Sequence, residues 1–115
     1  MADQVKQMVQ DKIKANKVMV FSKSYCPYCK KAKNVLAKYS IDKSSFEVME
    51  LDLMADQAEA NLIQEVMKGL TGASSVPRVF VNGKFIGGGD DTEKLDKSGE
   101  LKKLLVGAGA IHEEL

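Results

Sequence analysis

Residues 18–30 read VMVFSKSYCPYCK, and they contain both cysteines of the 115-residue chain. The apolar run Val18–Phe21 is rich in strand-forming residues and predicts a strand buried on both faces. Pro27 is favoured in the first turn of a helix, because its missing N–H would have no intrahelical partner there. The sequence therefore predicts a strand that ends just before a Cys-x-x-Cys pair and a helix that begins within the pair.

Helical and strand-like patterns alternate along the rest of the chain. Apolar residues recur with the helical period in three stretches. The predicted helices run from Asp3 to about Asn16, from about Pro27 onward, and from a cap at Asp56 to about Gly69. A second strand is predicted between the last two helices, at residues 46–51.

A hairpin and a last helical region follow. Asn82-Gly83 is a strong hairpin signal and separates the strand-like residues 79–81 and 84–86. Asp90 or Asp91 is expected to cap a final helical region that a glycine interrupts near its middle. The order of elements predicts an α/β fold, with a central four-stranded mixed sheet flanked by helices on both faces.

The composition is that of one globular domain, with 44% hydrophobic and 29% charged residues. We expect a single domain over residues 1–115, with a core at about 5–106 and a C-terminal tail at 107–115. The net charge of +1 and the absence of a long basic run argue against nucleic acid as a partner. The longest apolar run is far shorter than the roughly 20 residues of a membrane helix, so no membrane association is expected. The N-terminal residues lack the apolar segment of a secretory signal, which favours a cytoplasmic protein.

The predicted strand-to-helix junction gives the two cysteines different roles. Cys26 would lie at a helix N-terminus, where free backbone N–H groups and the helix dipole stabilise a thiolate and lower its pKa. Lys23 and Lys30 are expected to add positive charge nearby. Cys26 is then the attacking nucleophile. Cys29, one turn later and less exposed, could resolve a mixed disulfide formed at Cys26.

A Cys-x-x-Cys pair has two other possible roles. A tetrahedral zinc site needs four ligands, and beyond the cysteines the chain offers only His112, so no metal site is expected. Cysteines can also be buried as small apolar residues, although their position at a strand-to-helix junction argues against this. In a reducing compartment such a pair is typical of redox chemistry.

The chain resembles the dithiol glutaredoxins of the thioredoxin superfamily over about residues 5–106. The first matching motif is Cys-Pro-Tyr-Cys, with a lysine three residues before its first cysteine. The later motifs occur in the family's order and approximate spacing: Thr71-Gly72, Ser75-Val76-Pro77, the hairpin, and Gly87-Gly88 followed by Asp90-Asp91. The resemblance implies a thioredoxin-like fold. It also implies a glutathione-dependent oxidoreductase that reduces protein disulfides and glutathionylated proteins through Cys26 and Cys29.

The resemblance further implies a glutathione site that includes Cys26. Pro77 would be cis, and the backbone of Val76 would pair with the extended tripeptide. The remaining positions that match the family's glutathione contacts are Lys23 and Gln64 at the glycyl end, Gly89, Asp90 and Asp91 at the γ-glutamyl end, and Tyr28 along the groove. Lys23 and Gln64 could also be ordinary exposed polar residues, Asp90 and Asp91 could be helix caps, and the glycine triplet could be a tight turn. A third glycine at position 89 is expected to loosen its loop, and Ser75 replaces the family's usual threonine.

Glutathione is thus expected as a reducing co-substrate without any tightly bound cofactor, and glutathione reductase as an indirect partner. We expect a monomer. Three alternatives remain open at this point. A thioredoxin would usually carry tryptophan beside its cysteines, and this chain has none. A dimer could share an iron–sulfur cluster through Cys26 and two glutathiones, although Pro27 is unfavourable to it. A catalytically silent thioredoxin-like interaction domain is the third.

Overall fold

The computed structural model describes residues 2–112, which form a four-stranded sheet with helices on both faces. The helices are α1 (Ala2–Ala15), α2 (Pro27–Ala37), α3 (Gln57–Thr71), α4 (Gly89–Ser98) and α5 (Glu100–Gly107). The strands are β1 (Val18–Ser22), β2 (Phe46–Glu50), β3 (Arg78–Val81) and β4 (Lys84–Gly87). None of the described helices is long and apolar enough to cross a membrane.

The sheet has the order β2-β1-β3-β4 and is mixed, as the sequence predicted. Strand β1 pairs in parallel with β2 and antiparallel with β3, and β3 pairs antiparallel with β4. All five residues of β1 are buried, which agrees with its unbroken apolar run. The central strand therefore leads directly from the core to the dithiol.

Two hydrophobic layers hold the sheet between its helices. Met19 and Phe21 of β1 face the layer under α1 and α3, whereas Val18 and Val20 face the layer under α2 and α5. Phe21 is fully buried and meets Phe80 edge to face, with ring centroids 6.0 Å apart. Each fully buried side chain of this size contributes about 1.5–3 kcal/mol, so these layers fix where β1 ends and α2 begins.

The ends of α3 and β2 differ slightly from the sequence prediction. The Asp56 carboxylate accepts a hydrogen bond from the Glu59 N–H at 3.1 Å, which confirms the cap. The helix continues two residues past Gly69 and ends before Gly72, whose φ of +90° suits glycine. The predicted second strand was one residue too long, since Leu51 begins a short 3₁₀ turn.

The hairpin and the division of the last helical region are confirmed. Asn82 and Gly83 both have positive φ, 53° and 79°, as a two-residue hairpin turn requires. Gly99, at φ 83°, separates α4 from α5. The predicted aspartate cap of α4 was wrong. The N-cap is Gly88, and Asp91 lies one turn inside the helix, where its carboxylate accepts the Gly88 N–H at 3.1 Å.

Part of the predicted tail belongs to the core. Ala110 is buried, and its carbonyl accepts a hydrogen bond from the Asp42 N–H at 3.2 Å. The Lys17 ammonium donates to the Gly109 carbonyl at 3.1 Å. Residues 108–111 therefore close the layer under α2 and α5, while residues 113–115 lie outside the described part of the chain.

Candidate active site

Cys26 is the N-cap residue of α2, and Pro27 occupies the first turn as predicted. Three residues connect β1 to Cys26, and the Cys26 N–H donates to the Lys23 carbonyl at 3.2 Å. This connection is anchored from the neighbouring strand end, because Asp52 accepts from the Ser24 N–H at 2.8 Å and from the Ser24 hydroxyl at 2.5 Å. Cys26 is thus held by both its own helix and the segment that follows β2.

The surroundings of the Cys26 sulfur favour its thiolate. Partial burial raises the pKa of Cys26, but hydrogen bonds from the Cys29 N–H, the Cys29 thiol and the Tyr28 N–H outweigh it. The charge of Lys33 also lowers the pKa, and the net result lies below the ordinary value of a cysteine. The helix N-terminus therefore lowers the pKa of Cys26 as predicted. The lysine whose charge contributes is Lys33, whereas we expected Lys23 and Lys30.

The surroundings of Cys29 have the opposite effect. Its side chain is fully buried, and burial raises the pKa of the thiol. The Lys23 N–H, 3.4 Å from the sulfur, and the Ser22 hydroxyl lower the pKa, whereas the hydrogen bond to Cys26 and the charge there raise it. The net pKa lies above the ordinary value. Cys29 is therefore a protonated thiol that donates to Cys26.

A groove with a volume of about 400 Å³ lies beside Cys26. The Val76-Pro77 bond is cis, as the resemblance implied, and the Cys26 thiol donates to the Val76 carbonyl at 3.8 Å. Six of the predicted glutathione residues line this groove together: Tyr28, Val76, Pro77, Gly89, Asp90 and Asp91. The structure thus brings together residues from three separate parts of the sequence in one groove, and the Cys26 sulfur lies next to it at Val76.

The γ-glutamyl side of the predicted site is tightly packed. Gly89 is buried, and a Cβ at this position would lie 2.6 Å from the Tyr28 carbonyl oxygen. The third glycine therefore permits close approach of α4 to α2, and our expectation that it loosens the loop was wrong. The reason is an interhelical contact that the local sequence does not display.

The two aspartates of this region already have protein partners. Asp91 accepts from the Gly88 N–H, as described above. Asp90 is exposed and pairs with Lys31 at 2.9 Å, and the Lys31 ammonium also lies 5.5 Å from the centre of the Tyr28 ring. Hydrogen bonding to Asp90 raises the pKa of Lys31. The rim of the groove is therefore a linked set of aromatic, cationic and acidic groups.

Three predicted glutathione residues lie outside the groove lining, namely Cys26, which contacts its edge at Val76, and Lys23 and Gln64. Lys23 is half-buried in the connection between β1 and Cys26, and its backbone N–H points to Cys29. The Gln64 amide donates to the Ser74 carbonyl at 3.0 Å, which ties α3 to the segment that leads to Pro77. Both residues remain predictions for the glycyl end of the ligand.

Sequence reasoning overlooked Arg78, which lines the groove directly after Pro77. Its guanidinium donates to the Ser75 carbonyl at 2.5 Å and to the Ser75 hydroxyl at 2.6 Å, and it lies 5.1 Å from the centre of the Phe85 ring. A cation next to a predicted ligand-binding proline was the available signal. Within residues 2–112, no group of three or more His, Cys, Asp or Glu side chains could hold a metal ion.

The fold, together with a partly exposed thiol whose pKa is lowered, defines a thioredoxin-like protein with a dithiol redox site. The glutaredoxin family model matches residues 18–86. Glutaredoxin-C8 of Oryza sativa subsp. japonica is 45% identical over 97 residues, covering 84% of this chain and 68% of the relative. A monothiol glutaredoxin of Caenorhabditis elegans, described as uncharacterized, is 42% identical over 99 residues, covering 86% and 64%. The chain belongs to the glutaredoxin family, and it spans about two thirds of the length of these two relatives.

Solved glutaredoxin structures agree with this assignment. Oxidized glutaredoxin 2 from Chlamydomonas reinhardtii superimposes with a TM-score of 0.85 at 44% identity, covering 96% of this chain and 98% of that one. A complex of buckwheat glutaredoxin with glutathione gives a TM-score of 0.85 at 32% identity, covering 96% and 94%. The predicted fold class is therefore confirmed.

Proposed function

We propose that the protein is a glutathione-dependent thiol–disulfide oxidoreductase that reduces protein disulfides and glutathionylated proteins. The position of Cys26 is the observation that carries the proposal. Its sulfur has a lowered pKa and contacts the Val76 carbonyl at the edge of the groove. An extended thiol peptide lying along Val76 and Pro77 brings its own sulfur to Cys26. The buckwheat complex supports glutathione as that peptide.

In the first step the Cys26 thiolate attacks one sulfur of a substrate disulfide. A bond forms between that sulfur and Cys26, the substrate bond breaks, and the other sulfur leaves as a thiolate that takes up a proton. A low pKa assists Cys26 twice, because it raises the thiolate fraction and makes Cys26 a better leaving group in the next step. With a glutathionylated protein, the product is a Cys26–glutathione mixed disulfide and a free protein thiol.

Two routes resolve the mixed disulfide. A second glutathione thiolate can attack it, which forms oxidised glutathione and returns Cys26 to the thiolate. Alternatively, Cys29 attacks Cys26, glutathione leaves, and two further glutathiones reduce the resulting Cys26–Cys29 disulfide. Glutathione supplies the electrons in both routes, and glutathione reductase restores it. No tightly bound cofactor is required, and we propose a monomer in a reducing compartment such as the cytoplasm.

The groove chemistry suits the two carboxylates and one ammonium of glutathione. In this proposal the N-terminal N–H groups of α4, at Gly89 and Asp90, receive the γ-glutamyl carboxylate. Asp90 or Asp91 receives the ammonium, and Tyr28 covers the peptide. Arg78 adds a fixed cation inside the groove, which complements Lys23 and Gln64 at the glycyl end. These roles follow from charge and position, and each can be tested by substitution.

The test couples reduction of a glutathionylated peptide to glutathione reductase. We expect Cys26→Ser to lose all activity, and Cys29→Ser to keep activity on this substrate because glutathione alone can resolve the mixed disulfide. Activity in Cys26→Ser, or turnover that glutathione cannot support, would contradict the proposal. A coloured dimer isolated without oxygen would instead favour the iron–sulfur alternative.

A further inference from the structure

Two buried oxygen atoms near the dithiol have no hydrogen-bond partner within the described residues. They are Ser22 Oγ and Glu50 Oε1. Ser22 ends β1, Glu50 ends β2, and the two residues are register partners in the parallel pair. Register partners on neighbouring strands lie about 4.8 Å apart and point to the same face of the sheet. Because buried polar atoms are seldom left unpaired, two such atoms at one place call for a partner, such as a bridging water, or for a role in the reaction.

The same place contains Cys29 and a charged partner. Cys29 and Lys33 are four residues apart on α2 and therefore share one face of the helix. The Lys33 ammonium lies 2.7 Å from Oε2 of Glu50, so the other carboxylate oxygen is the free one. Burial raises the pKa of Cys29, and the nearby Ser22 hydroxyl lowers it, although that hydroxyl does not meet full hydrogen-bond geometry with the sulfur.

The resolving step requires a proton acceptor for Cys29, and the cluster of Ser22, Cys29, Lys33 and Glu50 can supply one. Cys29 must lose its proton before it can attack the mixed disulfide at Cys26, because the thiolate is the nucleophile. The Cys29 side chain has no exposed surface, so solvent cannot take the proton directly. An internal acceptor is therefore required, and Glu50 Oε1 is a carboxylate oxygen that no protein group in the described chain occupies.

We propose that Ser22 and Glu50 form a buried proton-transfer route that serves Cys29. The inference rests on the proposed dithiol reaction and deepens it. The Cys29 proton passes to the Ser22 hydroxyl while that hydroxyl gives its own proton to Glu50 Oε1, either after a side-chain rotation or through a bridging water. Ser22 then donates to the new thiolate, which attacks the Cys26 sulfur. The Cys26–Cys29 bond forms, and glutathione leaves as a thiolate.

Rapid mixing with oxidised glutathione, followed by acid quenching and mass spectrometry, separates the two steps. The mixed disulfide at Cys26 forms first, and the Cys26–Cys29 disulfide follows. We expect Ser22→Ala and Glu50→Gln to form the mixed disulfide at the wild-type rate within about twofold. We expect them to resolve it about 10- to 100-fold more slowly, the scale of lost acid–base assistance. Ser22→Thr keeps the hydroxyl and should resolve at nearly the wild-type rate.

Matched controls lie elsewhere on the same scaffold. Glu47→Gln removes an ion pair of the same 2.7 Å length from the opposite face of β2, where Glu47 pairs with Lys12. Ser45→Ala removes another buried serine hydroxyl, one that donates to the Asp42 carbonyl. Neither should change either step by more than about twofold, since neither residue touches a cysteine.

The pH dependence adds a readout that a merely structural role would not change. The titratable groups that face the cluster are Cys26, Cys29 and Lys33 from α2 and Glu50 from β2. The defect of Glu50→Gln should be largest near neutral pH, where a carboxylate can accept a proton and Cys29 is still a thiol, and it should shrink as pH rises toward the pKa of Cys29. Above that pH the thiol no longer needs an internal acceptor.

Three outcomes would overturn the inference. If both Ser22→Ala and Glu50→Gln resolve the mixed disulfide at the wild-type rate, the proton-transfer route is wrong but the proposed function still stands. The same holds for an equal slowing of mixed-disulfide formation when the same substitutions are made in the Cys29→Ser background. Absence of any mixed disulfide in the wild-type protein would overturn the proposed function, and this inference with it.

Discussion

Cys26 and Cys29 are one helical turn apart, yet their surroundings differ in every respect that controls thiol chemistry. Cys26 is partly exposed, faces a groove and has N–H donors that lower its pKa. Cys29 is buried, and its burial raises the pKa. The difference arises because α2 begins at the surface and then packs against the sheet, in the layer that contains Val18 and Val20 of β1 and Val48 of β2. A single strand-to-helix junction thus produces one thiol with a lowered pKa and one buried thiol with a raised pKa.

The largest predicted effect of the contrast between Cys26 and Cys29 is a difference in their rates of alkylation. We expect iodoacetamide at neutral pH to modify Cys26 at least about 100-fold faster than Cys29, because each pKa unit costs tenfold in thiolate and burial slows access further. Mass spectrometry should show one label on the native protein and two after denaturation. The midpoint of the pH profile should lie below the ordinary thiol range for Cys26 and above it for Cys29. Equal labelling of both cysteines would break the comparison.

Gly89→Ala tests how the Cys26 side is assembled. The new methyl group would lie 2.6 Å from the Tyr28 carbonyl oxygen, so α4 must move away from α2. We expect urea unfolding to show a loss of about 1–3 kcal/mol, and the coupled assay to show a raised KM for the glutathionylated peptide. Gly69→Ala is the matched control, because nothing lies within 4 Å of its added methyl group in α3. That substitution should stabilise the protein by up to about 1 kcal/mol.

A smaller effect separates the two aspartates at the start of α4. Asp91→Ala removes the carboxylate that accepts the Gly88 N–H, and we expect a loss of about 1 kcal/mol in urea unfolding. Asp90→Ala removes only an exposed pairing with Lys31 and should leave the unfolding curve unchanged. Equal destabilisation by both substitutions would show that the two carboxylates share a structural role. A raised KM in Asp90→Ala alone would support its assignment to the ligand.

Much of the Cys26 side could be predicted from the sequence, whereas the Cys29 side could not. The apolar run, the Cys-x-x-Cys spacing and Pro27 are local signals, and the ordered motifs indicated the groove. The Ser22 and Glu50 pairing depends on which strands lie side by side and in what register, which no local pattern of these residues encodes. The close approach of Gly89 to Tyr28 depends likewise on the distance between two helices. Only Lys33 could have been linked to Cys29 from the sequence, because it lies four residues after Cys29 and therefore on the same face of α2.

The smallest predicted effect distinguishes Lys33 from the lysines that sequence reasoning favoured. Lys33→Met removes a charge that lowers the pKa of Cys26 and also leaves Glu50 without its cation, so both changes disfavour the thiolate. At low salt and a pH below the midpoint, we expect Cys26 alkylation to slow by roughly twofold to fivefold, the scale of a partly screened charge. The rate at high pH should stay the same, because the thiol is then fully ionised in either protein. Lys30→Met is the control on the exposed side of α2. If it slows Cys26 alkylation more than Lys33→Met does, the charge that lowers the pKa of Cys26 comes from Lys30, as the sequence suggested.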